Sequence, residues 1–220
     1  MTADRWTRRV LKPLTFVAGL IPATLLAWGA LTGGLSADPV QDITNTTGIW
    51  TLRFVLITLT VTPLRKVTGW NRIIRFRRML GLFAFFYGTL HLLTFVVLDY
   101  FFAFDLMLKR VGEEKFITAG LTGFVLMLPL AATSTQGMIR RLGGRWRALH
   151  RLVYASATAG VVHYTWLTKI DVRRPLIYGM VLAVLLGFRL WHRIHRRLEP
   201  ALTRGARGGT ANDPGVFSDG

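Results

Sequence analysis

Three histidines lie inside apolar segments of a chain that contains no cysteine. His91 belongs to LGLFAFFYGTLHLLTFVVL, and His150 and His163 belong to LHRLVYASATAGVVHYTWL. An ionisable ring at membrane depth is costly and is usually functional. Imidazoles that face each other across a helical bundle commonly hold a haem iron. Because cysteine is absent, thiolate ligands and CxxCH attachment are excluded, so any haem would be a non-covalent b-type group bound by histidine.

The elements that would carry these histidines are six apolar segments, each close to the ~20 residues that cross a bilayer. They lie at 11–31, 49–64, 79–102, 116–134, 149–168 and 175–191, and the second is short for a membrane span. Hydrophobic residues form 51% of the chain, in long runs separated by basic clusters, which is typical of a multi-span membrane protein. The sequence therefore predicts an all-α membrane protein, a bundle of six transmembrane helices, with the first helix retained and not cleaved as a signal peptide.

Positive charge is distributed unevenly between the two ends of these segments. Most of the 28 Lys and Arg residues lie before the first span, between the second and third, between the fourth and fifth, and after the sixth. By the positive-inside rule these regions are cytoplasmic, and so are both termini. The net charge of +17 raises the question of nucleic-acid binding. The basic residues flank apolar spans and do not alternate with exposed aromatic residues, so the expected partner is the lipid bilayer and no nucleic acid.

The chain is predicted to form one membrane domain followed by a short tail. The domain covers residues 1–202, and the Gly-rich polar tail at 203–220 is predicted to be disordered and cytoplasmic. The connections between the spans are too short for a nucleotide-binding domain, and no internal repeat is evident. An electron donor or acceptor for any redox centre would therefore be another molecule.

Helix geometry places the histidines at two depths. With a rise of ~1.5 Å per residue, His91 lies ~20 Å from the basic end of its span at Arg78. His163 lies ~24 Å from Arg147 on the same arithmetic, and His150 only ~5 Å. His91 and His163 are therefore predicted to share one level, where a single bis-imidazole site would fit.

The level of His150 is less defined by the sequence. Arg77, and no histidine, occupies nearly the same face of the third span near that depth. Whether His150 binds a second haem is left open. Arg77 is a candidate to bind a haem propionate or a flavin phosphate, and the alternative is that it only fixes the topology. His192 and His195 lie in the basic segment WHRIHRR and are predicted to be solvated.

Three functions are compatible with these residues. The first is a transmembrane electron conduit, in which electrons enter near His150 and leave through a haem held by His91 and His163. The second is a haem-free membrane scaffold or a small transporter whose histidines relay protons. The third is a cytochrome that oxidises quinol for a different acceptor. No nucleophile–base pair that would catalyse hydrolysis is evident in the spans.

Several segments carry a specific resemblance to a known family. They are GGLSADPVQDITNTTG, LTVTPLR, RRMLGLFAFFYGTLHLLTFV, TSTQGMIRRLGGRWRALHRLVY, the pair His163-Tyr164, and RPLIY. These segments are similar to the MsrQ (YedZ) family, the haem-bearing membrane subunits of bacterial periplasmic methionine sulfoxide reductase systems. The chain also resembles, more distantly, the ferric reductase-like transmembrane domain, which includes the membrane domains of NADPH oxidases. The resemblance covers nearly the whole chain from the first to the sixth span.

The resemblance implies a protein of the bacterial inner membrane with b-type haem on His91 and His163, and with His150 as the third intramembrane histidine. Larger oxidase relatives carry two histidines on each of two helices, and this chain has Arg77 where the fourth would fall. The family is also associated with FMN. The implied partner is a soluble periplasmic molybdopterin-containing reductase that repairs methionine sulfoxide in proteins, with electrons from the quinone pool or a cytoplasmic flavin reductase. The chain would be an electron-transfer subunit and would not itself reduce methionine sulfoxide.

Overall fold

The computed structural model describes residues 3–168 and 171–208, and all the regular secondary structure in these ranges is helical. Its main elements are α1 (Lys12–Thr32), α2 (Pro39–Thr68), α3 (Arg77–Leu93), α4 (Phe104–Glu113), α5 (Lys115–Ala132), α6 (Leu152–Leu167) and α7 (Arg173–Gly208). A short helix, Ala3–Trp6, and a π-helical segment, Thr7–Leu11, lead into α1. The connections contain the 3₁₀ helix Asn71–Arg75, the π-helical segment Thr94–Asp99, and the short helices Gln136–Leu142 and Gly144–Leu149.

Within the described ranges, five helical stretches are long and apolar enough to cross a membrane. They are Thr7–Thr32, Pro39–Thr68, Arg77–Asp99, Lys115–Ala132 and Arg173–His195. The predicted class, an all-α multi-pass membrane protein, is therefore confirmed. The remaining predicted span, 149–168, corresponds to α6, which has 16 residues and is shorter than these five. Six crossings and cytoplasmic termini stay predictions.

The helix α2 differs most from its prediction. The apolar pattern placed a short span at 49–64, whereas α2 begins at Pro39 and extends over 30 residues. Asp38 caps its N-terminus by accepting a hydrogen bond from the backbone N–H of Gln41 at 3.0 Å. The polar first turns are also helical, and one of their threonines satisfies its hydroxyl within the helix. Thr47 donates its hydroxyl proton to the carbonyl of Ile43 at 2.7 Å.

The connection at 103–115 and the C-terminal segment also contain helix. The first forms α4, whose apolar side chains Phe104, Leu106 and Leu108 are all exposed. Such an amphipathic helix between two spans is typical of a segment that lies in the membrane interface. At the other end of the chain, α7 continues to Gly208, inside the predicted tail. The rest of that tail, 209–220, lies outside the described residues.

The bundle is built from two closely packed helix pairs. In the first pair α2 packs along α3, and in the second α5 packs along α6. The pairs meet where α3 contacts α5 and α2 contacts α6, while α1 and α7 pack against α2. Leu59 of α2 and Tyr87 of α3 are both 0% exposed and mark the centre of the first pair. This arrangement places His91 and His163 on different pairs.

Tyr87 ties α1 to the core at a proline. Pro22 lies inside α1, where a proline has no N–H to donate and its ring disturbs the preceding turn. The Tyr87 hydroxyl accepts from the N–H of Ala23 at 3.0 Å and donates to the carbonyl of Gly19 at 2.8 Å. Those two backbone groups would bond each other in an uninterrupted helix, so the tyrosine oxygen bridges the helix bond that the proline opens.

We expect Tyr87→Phe to destabilise the protein by about 1–3 kcal/mol, because a buried N–H and a buried carbonyl lose their partner. The measurement is the midpoint of thermal unfolding in detergent. Tyr100→Phe is the matched control, since the hydroxyl of Tyr100 accepts a bond from exposed Arg110 and lies outside the core. Equal midpoints for the two variants would contradict a bridging role for Tyr87.

Candidate functional site

The imidazole rings of His91 and His163 meet between the two helix pairs. Their centroids are 6.0 Å apart, and their planes make an angle of 74°. His91 lies near the C-terminal end of α3, and His163 lies near the C-terminal end of α6. Both side chains are half-buried. The structure therefore brings together the two histidines that helix geometry placed at one level.

Each ring is held by a backbone carbonyl from the other helix of its own pair. The Nδ1 of His91 donates to the carbonyl of Thr44 in α2 at 3.0 Å. The Nδ1 of His163 donates to the carbonyl of Phe116 in α5 at 2.7 Å. Thr47 adds a hydroxyl 3.4 Å from the Nδ1 of His91. Both rings are therefore oriented by main-chain atoms, which a side-chain motif does not reveal.

These hydrogen bonds select one tautomer of each ring. A carbonyl oxygen can only accept, so each Nδ1 carries the proton and the lone pair of the neutral ring is on Nε2. In the described part of the chain the hydrogen bonds of both rings are made by Nδ1. An imidazole with Nδ1–H held by a carbonyl and Nε2 left free is prepared to coordinate a metal.

The donor set of this site consists of the two imidazoles. No group of three or more His, Asp or Glu side chains that could hold a metal ion occurs among the residues that the structure describes. Protein zinc sites use three or four protein ligands. The His91–His163 pair therefore suits a metal that brings most of its own ligands.

The two halves of the site repeat each other. His91 is bonded to a carbonyl 47 residues earlier in the chain, and His163 is bonded to a carbonyl 47 residues earlier as well. The two histidines are 72 residues apart, and a shift of 72 residues aligns the pair α2–α3 with the pair α5–α6. The expectation that the chain has no internal repeat is therefore wrong for this part of the bundle.

Contacts between the pairs are reciprocal, as a repeat requires. A β-carbon on Gly88 of α3 would lie 3.5 Å from the side chain of Phe124 in α5. A β-carbon on Gly160 of α6 would lie 3.6 Å from the side chain of Leu52 in α2. Gly160 and Phe124 are the 72-residue counterparts of Gly88 and Leu52. The pairs are thus related by an approximate two-fold axis that passes between His91 and His163, the arrangement of parallel repeats.

His150 does not join the pair. It follows the short helix Gly144–Leu149, just before α6 begins. Its ring stacks on Trp146 with the centroids 3.9 Å apart, and its Nδ1 lies 3.2 Å from the carbonyl of Trp146. No second histidine faces it among the described residues. His150 therefore belongs to a separate level, as the sequence predicts.

Arg77 is close enough to His150 to influence it electrostatically at this second level. It is half-buried and interacts electrostatically with His150, Arg189 and Tyr154. Arg189 donates to the hydroxyl of Tyr154 and to the carbonyl of Leu59, so it joins α7 to α6 and α2. The sequence analysis does not single out Arg189. The available signal was a single arginine inside the apolar run VLLGFRLW.

The histidines of α7 differ from each other in exposure. His195 is exposed, as predicted for a solvated residue. His192 is half-buried, packs against Phe188 with ring centroids 4.4 Å apart, and has a buried Nδ1 without a hydrogen-bond partner among the described residues. The prediction that His192 is solvated is wrong, because Phe188 lies one helical turn earlier in α7 and packs against the ring of His192.

The fold and the site define a class of protein, a multi-pass helical membrane protein with one metal-competent imidazole from each of two repeated helix pairs. Residues 47–161 match a family model described as the ferric reductase like transmembrane component. Curated relatives from Herminiimonas arsenicoxydans (51% identity, 83% of this chain and 85% of the relative) and Bordetella pertussis (50% identity, 83% and 91%) are both named protein-methionine-sulfoxide reductase heme-binding subunit MsrQ. The chain belongs to the MsrQ family, which confirms the resemblance carried by its sequence segments. No solved structure matches it.

Proposed function

We propose that this protein is a membrane electron conduit that holds one b-type haem between His91 and His163. The observation that carries the proposal is the pair of rings that meet across the bundle with both Nδ1–H groups bonded to carbonyls. Family membership supports the same conclusion, since the curated relatives are named heme-binding subunits and the matched domain is ferric reductase-like.

The residues present fit a haem better than a bare metal ion. Two imidazole ligands are too few for a zinc site, but they complete the coordination of an iron that already has four porphyrin nitrogens. The rings of His91 and His163, with centroids 6.0 Å apart, would hold the iron from the two helix pairs. When bound, the haem supplies a one-electron iron couple.

The chain's own groups set the properties of this centre. The carbonyls of Thr44 and Phe116 fix the ring orientations. They also increase the basicity of each Nε2, because each carbonyl accepts a hydrogen bond from the Nδ1–H of the same ring. The surrounding helices keep the rings half-buried between the two pairs. The protein thus contributes ligand orientation and tuning of the reduction potential.

At the second level, we place electron entry at His150 and Arg77. A half-buried guanidinium that interacts with an imidazole and a tyrosine suits an anionic group, either a haem propionate or the phosphate of FMN. His150 has no histidine opposite it in the described residues, so a second haem there would need a different sixth ligand. We therefore propose a single bis-histidine haem.

We propose that electrons move from the cytoplasmic to the periplasmic end, with the orientation of the chain taken from its charge distribution. The basic end of the bundle, which carries Arg77, Arg78 and Arg147, would face the cytoplasm in a six-span bacterial inner-membrane topology with both termini inside. Electrons would come from quinol or a cytoplasmic flavin reductase. They would leave at the opposite end to a periplasmic molybdopterin-containing reductase. The name of the relatives supports a protein-methionine-sulfoxide reductase as the system that this chain serves. This chain would not itself reduce methionine sulfoxide.

The test is an oxidised and a dithionite-reduced absorption spectrum of the detergent-purified protein, with pyridine haemochrome quantitation. We expect sharp bands of six-coordinate haem b at about one haem per chain, since the site offers one pair of imidazoles. A colourless protein that stays colourless after reconstitution with haem would overturn the proposal and favour the scaffold or proton-relay function.

A further inference from the structure

A glycine lies directly against each ring of the histidine pair. A β-carbon at Gly48 would lie 3.0 Å from Cε1 and 3.2 Å from Nδ1 of His91. A β-carbon at Gly120 would lie 2.7 Å from Nδ1 and 3.0 Å from Cε1 of His163. These separations are shorter than ordinary van der Waals contact, so a methyl group at either position would have to displace the ring. The clash is stronger at Gly120 than at Gly48.

The glycines and the carbonyls that hold the rings belong to the same structural feature. Thr44 lies one helical turn before Gly48, and Phe116 lies one helical turn before Gly120. In an α-helix the carbonyl of residue i already accepts the N–H of residue i+4, and its second lone pair is available to one more donor. A Cβ points back along the helix toward that same carbonyl. A side chain at position 48 or 120 would therefore cover the lone pair that the histidine uses.

The contact between a glycine and a histidine ring occurs in both copies of the repeat. Gly48 and Gly120 are separated by the same 72-residue interval as His91 and His163. Each glycine lies on the helix that supplies the carbonyl, and each touches the ring that the carbonyl holds. Chance packing of one small residue does not account for both halves.

We propose that Gly48 and Gly120 are equivalent positioning residues of the histidine pair. Each glycine opens one carbonyl of its helix to an imidazole Nδ1–H, and this contact sets the orientation and the basicity of the ligand. The inference rests on the proposed function, in which the pair holds haem iron. It adds two residues that carry no reactive group and act only through the histidines.

The experiment compares Gly48→Ala and Gly120→Ala with wild type as full-length, haem-loaded protein in detergent. We expect Gly120→Ala to lower haem affinity 10–100-fold, the range found when a ligand's hydrogen-bonding partner is lost. Its reduction potential should become more positive, because an imidazole that loses its carbonyl partner is a weaker donor to ferric iron. Gly48→Ala should show the same changes at smaller size. The readouts are haem dissociation, redox titration and the EPR signature of the low-spin ferric haem.

Two alanine variants in the histidine-bearing helices serve as controls. Gly81→Ala in α3 would meet only the side chain of Thr58 at 3.8 Å, and Gly160→Ala in α6 only that of Leu52 at 3.6 Å. Both should keep the wild-type potential and EPR signature. If Gly120→Ala does not fold, the looser contact at Gly48 still decides the question by its potential and EPR signature.

The outcomes separate this inference from the function on which it rests. A wild-type protein without a bis-imidazole haem signature overturns the proposed function. A wild-type protein with that signature, together with Gly48→Ala and Gly120→Ala variants that match the two controls, overturns the positioning role alone.

Discussion

Alanine at either His91 or His163 is expected to abolish the low-spin haem spectrum. The two imidazoles are the only ligands that the described residues offer to the proposed haem iron, so the loss of one would leave a five-coordinate or empty site. Because the ligands act as a unit, the double variant should lose no more than either single variant. The measurement is the reduced-minus-oxidised absorption spectrum together with the haem content of the purified protein.

The control for this prediction is His195→Ala, which removes an exposed histidine of α7 far from the pair in sequence. It should retain the full haem content and the wild-type spectrum. The assignment of the ligands would be wrong if His91→Ala or His163→Ala kept an unaltered low-spin spectrum. Loss of the spectrum in His195→Ala as well would instead indicate general instability of the bundle.

The helices and the common level of the ligands could be predicted from sequence because both depend on regular quantities. Apolar segments of sufficient length identify the spans, and a constant rise per residue converts positions into depths. His91 and His163 were placed at one level on this basis, and their rings lie 6.0 Å apart. The prediction worked because helix length and side-chain polarity are local properties.

The groups that orient the rings could not be predicted, because they are backbone atoms. Every residue has a carbonyl, so nothing in the sequence distinguishes those of Thr44 and Phe116. In addition, Thr44 lies before the apolar run that marked the second span at 49–64, in turns whose Thr and Asn residues suggest a loop. Those turns are nevertheless helical, and the hydroxyls of Thr47 and Thr51 bond to carbonyls of the same helix.

The internal repeat was also hidden from sequence reasoning. Its two copies share Gly48 and Gly120, Gly88 and Gly160, and His91 and His163. Most other positions differ, because many apolar side chains satisfy the same place in a membrane helix. The repeat becomes visible only when the hydrogen bonds of both histidines are compared.

The same repeat accounts for the different character of the second level. The counterpart of His150 in the first pair is Arg78, which is exposed, while the half-buried group beside His150 is Arg77. The two-fold relation that matches His91 with His163 therefore matches His150 with Arg78 and provides no second imidazole at the other level. An asymmetric site of this kind suits an anionic donor or cofactor better than a second bis-histidine haem.

We therefore expect His150→Ala to keep the bis-imidazole haem and to slow its reduction from the basic end. The ring of His150 contacts Trp146 and not the histidine pair, so its removal leaves the ligands of the haem in place. The variant removes the imidazole near Arg77 at the point where we propose that electrons enter. A decrease of about tenfold in the rate corresponds to ~1.4 kcal/mol in activation free energy. Stopped-flow reduction of the haem by reduced flavin measures it.

Arg77→Gln should slow the same step, because it removes the positive charge that would bind an anionic donor. Arg147→Gln, at an exposed position of the same end, is the control and should have little effect.

A fall in the haem-to-protein ratio of His150→Ala to half of the wild-type value would show that His150 ligates a second haem and would contradict the single-haem site. Unchanged haem content with an unchanged rate would assign His150 to packing against Trp146 alone. Each result distinguishes the site at His150 and Arg77 from the site at His91 and His163, because only the latter contains the matched carbonyls and imidazoles of the repeat.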